Sequence, residues 1–192
     1  MIMENYIENY LMESQYILSE IDTTKLDQMI QAIARVKKNR GRIFFLGVGG
    51  SAANASHAVN DFRKIARIEC YAPTDNVAEL TARTNDDGWR TVFDEWLEVS
   101  RINSSDVVFV LSVGGGSMAQ GISENLCFAI KHANKIDLTV LAIVGSKDGY
   151  AARNSDICIV IPCVDVERRT PHTESMQSLL LHLIVTHPSV RG

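Results

Sequence analysis

His57 and Asp61 are four residues apart, so a helix would present both on one face, within reach of one cation or one substrate. Far along the chain, Glu174 and His182 offer another carboxylate and another imidazole. Such a mixed nitrogen and oxygen donor set suits zinc. A His–Asp pair at this spacing is also an ordinary helix-surface ion pair, so the pattern alone leaves both readings open. One geometric objection stands against joining all four residues. A regular helix over 174–182 separates Glu174 from His182 by roughly 12 Å of rise, so either the helix starts irregularly or a neighbouring subunit supplies part of the set. His172 reads as a loop residue, and His132 and His187 as solvent-facing or packing histidines.

Two glycine-rich segments give the other chemical signal. Phe44-Phe45-Leu46-Gly47-Val48-Gly49-Gly50-Ser51 is similar to Phe109-Val110-Leu111-Ser112-Val113-Gly114-Gly115-Gly116-Ser117. Each reads as a strand, a loop and a helix start. Glycine permits close backbone approach, and the first amides of the following helix face an incoming anion. Ser51, Ser112 and Ser117 add hydroxyls, so a phosphate or a polyol is the natural guest; tight turns without a ligand are the plain alternative. Residues 47–52 also satisfy the loose dinucleotide fingerprint, with Glu69 in range as the ribose carboxylate. Against that reading stand the poor strand character of 67–71, the lack of room for a separate catalytic domain, and the second glycine loop. Asn85-Asp86-Asp87-Gly88 precedes a helix and reads as a turn or N-cap.

The elements that must position these residues follow from the apolar pattern. Short, uniformly apolar runs at 43–46, 107–111, 139–144 and 157–161 suit the interior of a parallel sheet covered by helices on both faces. Helices are expected over 51–66, 89–102, 117–134 and 171–186, with a turn of helix near 76–84. Before them, helical periodicity runs through Ile7, Leu11, Ile17 and Ile21, then through Leu26, Met29, Ile30, Ile33 and Val36. Thr23 and Thr24 are placed to cap the second helix. The expectation is one α/β domain over 1–192: an N-terminal helical hairpin over 1–40, packing on a partner subunit or on its own sheet, and an α/β core over 41–192.

Composition bounds the partners. The 192 residues carry 46% hydrophobic and 22% charged side chains and a net charge of -4. A chain of this size buries roughly 70% of its unfolded surface, enough for a core without staples. Interspersed charge argues against a duplex nucleic-acid footprint. Cys70, Cys127, Cys158 and Cys163 read as reduced core residues. With no leader pattern and no apolar stretch near the ~18 residues of a membrane span, a cytoplasmic location is expected.

Gly47 to Asp61, Asn85 to Gly88, Leu111 to Ser117 and Glu174 to His182 occur in an order and spacing that resemble the sugar isomerase (SIS) domain family, most of all its phosphoheptose isomerases. The resemblance spans about residues 3–186. It implies a three-layer α/β/α sandwich around a five-stranded parallel sheet, doubly wound in the flavodoxin-like manner. It also implies a homotetramer with active sites between subunits. It further implies that Gly49, Gly50, Ser51, Asn85, Asp86, Ser112, Gly114, Ser117 and Glu174 contact a phosphorylated sugar. His57, Asp61, Glu174 and His182 would hold zinc (Zn2+), with Asp61 and His182 catalytic.

Four departures from the family pattern stand in this sequence. Asp61 replaces a glutamate and is one methylene shorter. The phosphate loop lacks hydroxyls at Val113 and Gly114. Glu174 replaces a glutamine, adding negative charge, and Pro171 stands where an aspartate is usual. The implied activity is an aldose-ketose isomerisation of sedoheptulose 7-phosphate to D-glycero-D-manno-heptose 7-phosphate through an enediol, serving lipopolysaccharide heptose biosynthesis. A non-catalytic phosphosugar-binding or adaptor SIS protein is the alternative.

Overall fold

A computed structural model describes residues 5–191. The four apolar runs form strands β1 (Arg42–Leu46), β3 (Val107–Ser112), β4 (Thr139–Val144) and β5 (Ile157–Val160), joined by a short β2 (Glu69–Tyr71). All pairings are parallel, in the order β2-β1-β3-β4-β5. Successive side chains alternate between two cores. Ile43, Phe45, Phe109, Leu111 and Ile143 face one layer of helices, while Phe44, Leu46, Val110, Ala142 and Val144 face the other. Because both faces are covered, the interior positions of the central strands must be apolar, with Thr139 and Ser112 standing only at strand ends, and the runs read as continuous rather than alternating.

The first layer contains α2 (Thr23–Lys38), α3 (Gly50–Asp61), α8 (Arg169–Thr186) and the short α9 (Pro188–Arg191). The second contains α5 (Val92–Val99), α6 (Glu124–Lys135) and α7 (Tyr150–Asn154), with Leu80 of α4 (Val77–Asp86) packed against it. The N-terminal hairpin divides its roles. Helix α2 buries Leu26, Met29, Ile30, Ile33 and Val36 on the chain's own sheet layer, whereas α1 (Tyr6–Ser19) buries only Ile17 and leaves Tyr6, Ile7, Leu11, Met12 and Tyr16 exposed.

Several local expectations are corrected. Segment 69–71 is a strand after all. As an edge strand it has one neighbour and buries only Cys70, so it needs no apolar run. Asp22, not a threonine, caps α2, its carboxylate accepting from the Lys25 amide at 2.9 Å. The helix expected from 117 starts at Glu124, because Ser117 and Ile122 pair as an isolated bridge around the positive-φ Gly121. Asp86 is the last residue of α4 and Asp87 its C-cap, so neither is an N-cap. Cys163 is exposed, unlike the other three cysteines. His172 is no loop residue: it lies on α8 at 2% exposure, stacked on Tyr10 at 4.3 Å, with Nε2 2.9 Å from Glu13 Oε2. Among the described residues, no helix is long and apolar enough to cross a membrane.

Candidate active site

The strand order places β1 beside β3, and the winding reverses between them, since β1 is followed by β2 on one side and β3 on the other. Both glycine loops leave the carboxyl ends of these two strands. That is the crevice in which open α/β sheets bind ligands.

In the first loop, Gly50 opens α3 and Ser51 is 1% exposed. The Ser51 hydroxyl donates to Gln177 Oε1 at 3.1 Å, and Asn54 Nδ2 donates to the same oxygen at 3.1 Å. Gln177 Nε2 in turn donates to the Ile143 carbonyl at 3.3 Å. The serine proton is therefore committed to pinning α3 to α8 and β4, and the loop presents the exposed Gly49 and Gly50 backbone to the crevice. The side chain of Glu174 lies against Gly50, where a Cβ would collide with its carboxylate.

Two turns further along α3, His57 and Asp61 meet His182 of α8. His57 Nε2 is 3.1 Å from Asp61 Oδ2, His182 Nε2 is 3.3 Å from the same oxygen, and the two Nε2 atoms are 3.1 Å apart. Asp61 is recessed at 14% side-chain exposure between imidazoles that are 54% and 51% exposed. Its other oxygen accepts from Asn60 Nδ2 at 3.0 Å. The shorter side chain of Asp61 thus reaches both imidazoles directly.

These three donors fit a metal. Tetrahedral zinc with bonds near 2.0–2.1 Å places neighbouring ligand atoms about 3.3 Å apart, so the trio has the dimensions of one face of such a site. Two imidazole nitrogens that face each other and one carboxylate oxygen are better satisfied by a shared cation than by one another. Glu174 does not join the group within this chain, in keeping with its distance along α8, and Asn85 bonds its own neighbour Asp86 at 2.7 Å.

The second loop holds Gly115 and Gly116 at φ 76 and 79, a conformation that favours glycine. Ser112 is 7% exposed, and its Oγ accepts from the Gly115 amide at 3.0 Å. Ser117 Oγ accepts from the Gln120 amide at 3.3 Å. A cleft of about 370 Å³ opens here, lined by Gly114, Gly116, Ser117, Ser146, Arg153 and Arg169 among others. Sequence reasoning overlooked Arg153, Arg169, Asn54 and Gln177. The signal for Gln177 was its helical spacing, one turn after Thr173 and one turn before Leu180 and Leu181 on the face of α8 that is buried, whereas the arginines carried no local signal. Glu69 stands at the start of β2, the wrong end for a ribose ligand, and accepts from the Tyr71 hydroxyl at 2.8 Å.

Comparison with known proteins agrees with this architecture. The model of the SIS domain family matches residues 9–145. The chain is 26% identical over 185 residues to a phosphoheptose isomerase of Syntrophotalea carbinolica, covering 92% of this chain and 89% of that one. It is 30% identical over 149 residues to a phosphoheptose isomerase of Rhodospirillum rubrum, covering 75% and 73% respectively. The solved phosphoheptose isomerase of Neisseria gonorrhoeae matches in fold with a TM-score of 0.82 at 24% identity, covering 95% of this chain and 96% of that one. With the family model matching most of its length, and with a doubly wound sheet that carries glycine loops at the reversal point, this chain belongs to the SIS domain family.

Proposed function

We propose that this chain is an aldose-ketose isomerase of phosphosugars that interconverts sedoheptulose 7-phosphate and D-glycero-D-manno-heptose 7-phosphate. The observation that carries the reading is the convergence of His57 and Asp61, on the helix α3 that the first glycine loop opens, with His182 of α8. The relatives named phosphoheptose isomerase support the same reaction.

Asp61 takes a proton from the carbon beside the substrate carbonyl. The C–H electron pair becomes the double bond of an enediol, and the carbonyl oxygen gains a proton. Return of a proton to the former carbonyl carbon, with loss of the hydroxyl proton on the carbon first deprotonated, whose oxygen becomes the new carbonyl, completes the exchange of ketone for aldehyde. The two imidazoles hold the Asp61 carboxylate in place, and His182, whose Nε2 faces that carboxylate and His57, serves as a ligand rather than as a mobile acid. His57, Asp61 and His182 would hold zinc, which when bound supplies Lewis acidity toward oxygen. Gly49, Gly50 and the second loop orient the sugar and its phosphate.

The exposed apolar face of α1 suits a subunit contact, and a homotetramer with sites between subunits would give Asn85, Asp86 and Glu174 a route to a neighbour's substrate. A cytoplasmic role in heptose supply for lipopolysaccharide fits the substrate. Incubation of sedoheptulose 7-phosphate with the protein in deuterium oxide tests the reaction. Deuterium is expected at C1 of the ketose and at C2 of the aldose. Binding without any exchange would refute catalysis and favour the phosphosugar-binding alternative.

A further inference from the structure

We infer that Arg153 and Arg169 form a two-guanidinium clamp for the substrate phosphate at the second glycine loop, in place of hydroxyls that this loop lacks. The inference rests on the phosphosugar reading and adds the groups that recognise the anion.

Ser112 and Ser117 accept amide hydrogen bonds that hold the loop's shape and keep one hydroxyl proton each to donate, while Val113 and Gly114 bring no hydroxyl. The loop's side chains therefore offer a dianion two neutral hydroxyl donors and no positive charge. Two cations, however, line the same cleft from outside the loop. Arg153 comes from α7, and Arg169 is the first residue of α8. Among the described residues neither arginine has a carboxylate within salt-bridge distance. This is unlike Arg168 next to it, which is paired with Glu13 and Asp165. Arg153 Nη2 donates to the Asp148 carbonyl, and Arg169 Nε donates to Cys163 Sγ at 3.3 Å. Each contact fixes one edge of a guanidinium and leaves other N–H donors directed elsewhere. The amides of Gly114 and Gly116 have no acceptor within the described residues, so backbone and side-chain donors share one cleft.

The charges decide the guest. A phosphate monoester carries about −1.5 to −2 charges at neutral pH, and two guanidiniums match it. Asp148 lines the same cleft and opposes the anion, leaving one net positive charge from the three side chains. That balance favours an anion that can be released again as product. Arginine also provides paired N–H donors that a lysine ammonium cannot.

Calorimetric titration of the full-length protein with inorganic phosphate and with sedoheptulose 7-phosphate tests the clamp. Arg169→Gln and Arg153→Gln should each weaken both ligands by roughly ten- to a hundredfold, the range expected for hydrogen bonds to a charged group. Arg169→Lys should recover only part of the loss, and Asp148→Asn should tighten binding. Thermal melting identifies any variant that fails to fold, and Arg153, exposed on α7, provides a second variant independent of α8. Failure of wild type to bind phosphate, or affinities of both folded glutamine variants within twofold of wild type, would overturn the clamp. Arginine-dependent phosphate binding without deuterium exchange would sink the isomerase reading and leave the clamp standing. Exchange with an unchanged KM in both variants would do the reverse.

Discussion

The carboxylate of Glu174 rests on the bare Cα of Gly50, so the first residue of α3 and the second turn of α8 are in van der Waals contact only because residue 50 has no side chain. Gly50→Ala would introduce a methyl group into the space that carboxylate fills. The obstructing atoms are the end of a flexible side chain, which can swing aside, and alanine is about 1 kcal/mol better than glycine in a helix. Melting should therefore change little or rise, while turnover falls by about tenfold or more as the displaced carboxylate intrudes on the crevice. Thermal denaturation and steady-state kinetics on the same preparation check this; full turnover would show that the contact has no part in the site.

Asp61→Asn keeps the size of the side chain and removes the base. Proton transfer by a positioned group contributes roughly 10²–10⁴-fold, so turnover should fall by that order with circular dichroism unchanged. Asp61→Glu, which restores the family's residue, should retain far more activity than the amide. Turnover near wild type in Asp61→Asn would assign proton transfer to another group.

Much of this architecture was legible because burial on both faces demands uninterrupted apolar strands, and β1, β3, β4 and β5 lie where those runs lie. The edge strand β2 left almost no trace, since only Cys70 of its three residues is buried. The two glycine loops and the spacing of His57 and Asp61 were visible, but not the fate of individual donors. Ser51 reads as a ligand hydroxyl until Gln177, 126 residues away, is seen to accept from it. His172 lacks any reactive neighbour in sequence, and its partners Tyr10 and Glu13 arrive through the docking of α1 on α8. Helix rise alone, by contrast, separated Glu174 from His182.

Loss of one imidazole should empty the metal group. Elemental analysis of wild type purified without chelators should find close to one equivalent of zinc or a similar divalent ion per chain. His57→Ala and His182→Ala each leave two donors where the group has three, and both should lose the ion while melting as folded proteins. Chelation should lower wild-type turnover, with recovery on adding zinc back. A full equivalent retained by both alanine variants would place any ion elsewhere.

Acid should weaken the anchorage of α1. Glu13 accepts from Arg168 Nε at 2.8 Å and Nη2 at 2.7 Å, and pairs with His172 Nε2 at 2.9 Å. The guanidinium first, and the imidazole second, hold its carboxyl at about 2, below the ordinary 4.5. Because the folded value is the lower one, this group's contribution is fully present above about 4.5 and is lost as pH falls toward about 2. Asp165, which also faces Arg168 at 2.6 Å, keeps that cation partly compensated when Glu13 is neutralised. Glu13→Gln should accordingly lower the urea midpoint at about pH 7, and the gap from wild type should narrow at about pH 3, where the native carboxylate has begun to lose its advantage. A gap of equal size at both pH values would show that Glu13 acts through packing and not through its charge.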